Sequence, residues 1–470
     1  MTRFLKPLLS ERVQFLLLAI FLSAVFLLGG ASRYDVQSLL LLRPLSAIML
    51  ATGLLTLSAR HWARHKFLAG FLATAATLVV LHLIPLPPAV WAALPGRDLL
   101  VQADAIAMLP GVWRPLTMTP FDGLQSLLAL LTPAAALVWA IQLEKERLYR
   151  LVPLFLILGA ASGLLGILQI LGPPRSPLYF YDVTNNGSAV GFFANRNHSA
   201  VFLACLFPMA AVFASTDTAR LAEDQVQFRS LLFFGALIAI IPLLLVTGSR
   251  AGLFVGLVGL AIALVLYKKP RPARVARRVG GRSWRIGGAP AAAVIVTGLL
   301  VVVMAVFSRA EALNRIFRQS AGEDTRTIFW ARTIRLVEQY FPWGSGAGSF
   351  PAVFKIGETN GTLSPLYVNH AHNDWLEVVM TFGIPGAVLL VIGVIALTIQ
   401  GIRLWRVGRN GNCDQRYGQM AFAVIAMFAL ASITDYPLRT PSLASMSVIC
   451  LLMLSHSSSS ARLPDNGGAR

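Results

Sequence analysis

The densest run of hydrogen-bonding side chains in this sequence is Asn369-His370-Ala371-His372-Asn373-Asp374-Trp375-Leu376-Glu377. A histidine titrating near neutrality beside a carboxylate is suited to take a proton from a hydroxyl. His370 and His372 also invite a metal, with His198 or Glu377 as further ligands. His-x-His brings no third ligand at a diagnostic spacing, so no metal is expected. Glu377 follows His372 by five residues, and it orients that ring only if the chain between them is not a regular helix. A histidine that merely satisfies a buried partner is the plain structural alternative.

Cations that could serve such a base occur at three places. The first is Gly191-Phe192-Phe193-Ala194-Asn195-Arg196-Asn197-His198, where Asn195, Asn197 and His198 can make polar contacts at a helix start. Arg196 adds a charge at headgroup depth. Ordinary capping by asparagine and a snorkelling arginine explain the stretch equally well. The second is Thr247-Gly248-Ser249-Arg250-Ala251-Gly252, a tight turn between two apolar runs. It sets Arg250 beside a helix N-terminus, whose free N–H groups and positive dipole end favour an anion. The third is 308–382, with Arg309, Arg315, Arg318, Arg326, Arg332, Arg335 and Lys355. Asp324 or Thr325 is expected to cap a helix through 326–337, with Arg326, Trp330, Thr333 and Val337 on one face and Arg332 and Arg335 on another. The glycines at 344, 346 and 348 are expected to make a flexible turn; no strand precedes them, so they are no dinucleotide fingerprint. Arginines near a base point to a phosphate or pyrophosphate leaving group neutralised without a metal.

The elements that must position these residues are membrane helices. Apolar residues make up 56% of the chain and charged residues 13%, and several apolar runs approach 20 residues, which implies an all-α polytopic membrane protein. Twelve spans are expected, near 13–30, 36–58, 67–86, 121–142, 151–171, 197–216, 229–247, 250–267, 290–307, 383–402, 418–434 and 440–455. The first is read as an uncleaved helix rather than a signal peptide. Lys and Arg crowd the alternate breaks, above all 268–289, so those breaks and both termini are expected to be cytoplasmic. Anionic lipid headgroups suffice as the partner of that basic loop. The large loop at 308–382, between spans nine and ten, then lies outside. The expected organisation is 1–307 with nine spans, 308–382 as the catalytic loop, 383–455 with three spans, and 456–470 as a polar tail. The segment 87–120, with Trp91, Trp113 and several prolines, is expected to lie along the membrane surface. A net charge of +19 spread over span breaks does not form a nucleic-acid patch. Three cysteines, two of them in apolar runs, give no disulfide framework. Few charges fall at mid-membrane depth, which argues against a transporter or flippase.

The motifs at 191–198 and 248–252, Arg326 with Trp330, Pro342-Trp343-Gly344-Ser345-Gly346, His372-Asn373-Asp374-Trp375-Leu376-Glu377 and Phe382-Gly383-Ile384-Pro385-Gly386 occur in an order that resembles the O-antigen ligase and Wzy-type polymerase family. The resemblance covers about 190–390, and the twelve-span layout extends it. It implies a glycosyltransferase of the bacterial inner membrane, acting on the periplasmic face without a cofactor. The donor would be a glycan on undecaprenyl pyrophosphate, and the acceptor lipid A–core or a growing glycan. By motif, Arg250 and Arg326 would bind the pyrophosphate and His372 would activate the acceptor hydroxyl. Arg196, Asn197, His198, Arg332, His370, Asn373 and Glu377 are the further candidates for substrate contact. Wzy-type polymerases and protein O-oligosaccharyltransferases are the alternatives within the family.

Overall fold

The computed structural model describes residues 10–109, 111–216, 223–269, 321–358, 367–408 and 411–460, with backbone alone at 223–224, 321–327 and 458–460. The expected span at 290–307, the loop from 270 onward and the tail from 461 lie outside the described residues. The chain is mostly helical. Among the described residues, seven helices are long and apolar enough to cross a membrane: Glu11–Leu28, Leu39–Thr56, Pro120–Ala140, Lys145–Leu171, Arg196–Ser215, Gln225–Thr247 and Asp374–Arg406. Lys66–Leu81, Arg250–Leu266 and Pro441–Ser457 are shorter apolar helices, and Cys413–Ala431 falls at the eleventh expected span.

The Arg196–Ser215 helix is the core of the bundle. Its apolar stretch is 89% buried, whereas the other long helices range from 22% to 44%, so those face lipid and this one faces protein. Between membrane helices, close backbone approach replaces the hydrophobic drive, and small residues permit it. A Cβ placed on Gly252 would stand 2.2 Å from the Ala200 Cβ, and one on Gly259 2.8 Å from the Ala204 carbonyl oxygen.

The polar connections separate to two ends. At the loop-rich end the Ala194 N–H donates to the Gly30 carbonyl at 3.1 Å and Asp374 N–H to the Ser432 carbonyl at 2.9 Å. At the opposite end Lys145 meets Asp414 at 2.7 Å and Arg147 meets Glu11 at 2.8 Å. The segments expected on one side of the membrane thus meet one another.

Several boundaries differ from those expected. The fourth span divides at Leu130 into Pro120–Ala129 and Leu131–Ala140. The tenth helix starts at Asp374 and bends at Gly383, whose φ of +56° suits glycine alone and lets the chain press on the Pro342 carbonyl. Residues 321–340 are all helical, so Asp324 and Thr325 lie inside the helix rather than at its start. The 87–120 segment folds as its own small unit. Pro85–Leu86 pairs antiparallel with Arg114–Pro115, and Arg97 is buried between the rings of Trp91 and Tyr340, 5.6 and 5.5 Å away. Gly96 and Arg97 seat it against Tyr340 of the Ala321–Tyr340 helix, while Ile106, Met108 and Trp113 remain exposed.

The turn at 343–348 is not a flexible one. A Cβ on Gly344 would stand 2.4 Å from the Thr381 carbonyl oxygen, and one on Gly346 2.1 Å from the Thr117 Cα. The glycines are needed because three backbone segments cross there. The Thr117 hydroxyl donates to the Ala347 carbonyl at 2.7 Å, and Ser345 N–H donates to the Met380 carbonyl at 3.0 Å.

Candidate active site

Three segments far apart in the chain meet at the loop-rich end: 195–198, 369–377 and 432–440. Local capping sets the first two. Asn195 caps the Arg196–Ser215 helix, its side-chain oxygen accepting from Asn197 N–H at 2.9 Å. Asn373 caps the Asp374–Arg406 helix by accepting from Leu376 N–H at 3.0 Å. Capping satisfies backbone donors that the helix itself leaves orphaned.

Because the helix begins at Asp374, Glu377 sits in its first turn and reaches back over its start. One carboxylate oxygen accepts from Ala371 N–H at 2.8 Å, and the other lies 2.9 Å from His370 Nδ1. Arg439 approaches the same oxygen at 3.1 Å and donates through Nε to Asp374 at 2.9 Å. Glu377 is 2% exposed and Asp374 half-buried, so this cation is what makes the two adjacent carboxylates tolerable. Burial opposes the Arg439 charge, but Glu377 and Asp374 outweigh it and hold its pKa above the ordinary value. The sequence pairs Glu377 with His372 only if the helix is interrupted; the structure instead pairs it with His370.

The carboxylate facing His372 is Asp435. It lies 3.4 Å from His372 Nδ1, within ion-pair distance but without hydrogen-bond geometry. The same carboxylate accepts from the Asn197 amide at 2.6 Å and the Asn195 amide at 3.4 Å, and His198 Nε2 is 3.9 Å away. Burial alone would raise its pKa; the His372 and His198 rings and the Asn197 amide hold it well below the usual carboxylate range. His198 is 1% exposed, and neither ring nitrogen has a hydrogen-bond partner.

Tyr436 separates the two pairs. Its ring centroid is 4.5 Å from that of His370, 5.0 Å from His372 and 5.2 Å from His198. Burial and the carboxylates of Asp435, Glu377 and Asp374 push its pKa upward and keep it a neutral phenol. His372 has φ +52°, a strained conformation for a residue with a Cβ, costing ~1–3 kcal/mol. Such strain persists only where the surroundings impose it.

Arg250 opens the Arg250–Leu266 helix, which Ser249 caps by accepting from Gly252 N–H at 2.9 Å. The Arg196 guanidinium lies near Gly248 in the turn just before it, so both arginines stand at the loop-rich end of adjacent helices. Arg326 lies on the Ala321–Tyr340 helix, and its side chain is outside the described residues. Arg332 is engaged elsewhere: it donates to the carbonyls of Phe354 and Gly357 and lies over the Phe354 ring. Asn373 likewise serves the backbone. Among the described residues, no group of three or more His, Cys, Asp or Glu side chains is placed to hold a metal ion.

A cavity of about 1930 Å³ opens beside this cluster, with His370, Asp374, Glu377 and Arg439 in its wall. It continues between the Lys66–Leu81 and Asp374–Arg406 helices to Arg64 and Arg403 near the opposite end. His198, His372, Arg196 and Arg250 do not line it.

Sequence reasoning missed Asp435, Tyr436 and Arg439. The available signal was Asp435-Tyr436-Pro437-Leu438-Arg439, two opposite charges in a very short break between apolar runs. A break of that kind needs no charges to turn.

A family model described as O-antigen ligase matches residues 234–391. Arg250, Arg326, Arg332, His370, His372, Asn373 and Glu377 fall inside the match, whereas Arg196, Asn197, His198, Asp435 and Arg439 fall outside it. Comparison with curated proteins finds no match.

Proposed function

We propose that the chain transfers a glycan from undecaprenyl pyrophosphate onto an acceptor hydroxyl, a reading that starts from the match of residues 234–391 to the O-antigen ligase family model. The observation behind this reading is the convergence of two histidine–carboxylate pairs on Tyr436, at the same end of the bundle as Arg196 and Arg250. In this reading the acceptor oxygen attacks the anomeric carbon, and His372 takes the hydroxyl proton. The bond from that carbon to the pyrophosphate oxygen breaks, and undecaprenyl pyrophosphate leaves. Asp435 steadies the protonated ring. The leaving group needs cations more than an acid, and Arg250 at its helix N-terminus and Arg326 supply them.

The proposed setting is the bacterial inner membrane, with twelve spans, both termini in the cytoplasm and 308–382 in the periplasm. A polyprenyl tail remains in the bilayer, so its pyrophosphate lies at headgroup level, where the Arg250 turn is expected. Lipid A–core is the favoured acceptor; a growing chain or a protein are the acceptors of the alternative readings. A second choice of base has its own observation. His370, hydrogen-bonded to Glu377, lines the large cavity, whereas His372 does not.

Transfer from a lipid-linked oligosaccharide, measured in membranes holding equal amounts of each variant, tests the reading. Arg250→Lys and Arg326→Lys should each lose most of the activity, because a point charge cannot replace a bidentate fork. Full activity in both lysine variants would remove the pyrophosphate role.

A further inference from the structure

The cavity beside His370 has features that the transfer chemistry above does not use. Arg43 stands four residues inside the apolar Leu39–Thr56 helix and lines this cavity. It makes no hydrogen bond, ion pair or ring contact with any described residue. An arginine within a membrane helix is costly unless something anionic or aqueous receives it, so it marks a site by default. Of the other cations in the wall at this end, two are paired with carboxylates. Arg33 is paired with Asp35, and Arg439 with Asp374 and Glu377. Lys355 touches the Tyr367 ring at 4.8 Å, with Arg33 at 5.1 Å from that ring, and no described carboxylate pairs with it.

Between these residues and Arg64, Lys66 and Arg403 toward the opposite end the wall is mostly apolar, through Phe67, Phe71, Leu390, Val394 and Leu397. At about 1930 Å³ the cavity is about twice the upper end of the usual small-ligand range of roughly 300–1,000 Å³. Uncompensated cations at one end and a long apolar wall behind them match a lipid with an anionic headgroup. A soluble anion would leave the apolar stretch unfilled.

We propose that Arg43 and Lys355 form a binding site for the phosphate headgroup of a lipid whose chains lie along the cavity's apolar wall, and that this lipid is the acceptor of the transfer. The last clause rests on the proposed function, which assigns the donor's phosphates to Arg250 and Arg326. His370, with Glu377, stands in the cavity wall beside this lipid.

The test uses the full chain in detergent, with retained lipid read by native mass spectrometry. The probes are dioleoyl phosphatidic acid, dioleoyl phosphatidylcholine and undecaprenyl pyrophosphate. The parent should retain phosphatidic acid at least tenfold better than phosphatidylcholine, with millimolar inorganic phosphate unable to displace it. Arg43→Gln and Lys355→Gln should each lower that retention about tenfold, while Arg43→Lys stays within threefold of the parent. Arg250→Lys should weaken undecaprenyl pyrophosphate alone. Unchanged phosphatidic acid retention in both glutamine variants would overturn the site. Loss of undecaprenyl pyrophosphate in Arg43→Gln and Lys355→Gln, matching the loss of phosphatidic acid, would overturn the acceptor assignment and leave the cavity to the donor. Failure of Arg250→Lys to weaken undecaprenyl pyrophosphate would count against the proposed donor site and leave the phosphate site standing.

Discussion

At the scale of single residues, the two histidines are distinguished by their partners. His370 is held by a buried carboxylate that Arg439 also binds, while His372 is strained and faces Asp435. A hydroxyl is a poor nucleophile near neutral pH, and a placed base contributes ~10²–10⁴-fold. His372→Ala should therefore abolish measurable transfer, with His370→Ala milder and added chelator without effect on either. Equal loss in both variants together with inhibition by chelator would favour a metal over a base. His82 offers a separate test just past the end of the Lys66–Leu81 helix, where its carbonyl accepts from Thr117 N–H of the 87–120 unit. It is buried and accepts from the Ala347 N–H at 3.2 Å. Burial first, and the nearby Arg97 charge second, push its pKa down to about 4. A lowered histidine pKa means that the unfolded chain binds the proton more tightly. The stability it contributes is full above about pH 6.5 and is lost as pH falls from there toward 4. The full change corresponds to about 3 kcal/mol. The melting temperature of the parent in detergent should fall over that window, and His82→Asn should flatten the fall.

At the scale of elements, the 343–348 turn is where the helices carrying the site are locked together. It joins the Ala321–Tyr340 helix to the start of Phe350–Ile356, and it lies against Thr117 and against the bend at Gly383. Gly346 has φ +100°, and the atom its Cβ would meet at 2.1 Å belongs to backbone. Neither rotamer change nor side-chain movement relieves such a clash. Gly346→Ala should cost more than ~2 kcal/mol and lower the melting temperature. Gly111→Ala is the control, because its added Cβ would meet nothing within 4 Å although its φ is also positive. A Gly346→Ala variant that melts with the parent would show that the crossing is looser than these distances.

At the scale of the whole molecule, the arrangement is a bundle whose connections collect at two ends, one loop-rich and one held by ion pairs such as Lys145–Asp414. The proposed orientation sets the loop-rich end in the periplasm. Reporter fusions at Gly361 and Gly280 should then give opposite signals, periplasmic and cytoplasmic. Matching signals would place the candidate site on the wrong face for a lipid-linked donor.

The sequence by itself determined the fold class and most of the spans, because lipid forces long apolar runs into helices whatever their neighbours are. It also carries the motif order that resembles the O-antigen ligase family, with the two histidines in it, since motif order is a one-dimensional property. Glycine at 344, 346 and 348 was visible, but its meaning was not, since a crowded backbone crossing and a flexible turn favour the same residue. Tertiary structure alone decided which carboxylate serves which histidine. Glu377 is near both in sequence and reaches only His370, because Asn373 starts a helix between them. Asp435 is 63 positions beyond His372 by the numbering and reaches it only through the return of the last two helices. Tyr436 and Arg439 come with it in the same short break. Nothing in the sequence singles out Arg43; only the structure sets it in a cavity wall without a partner among the described residues.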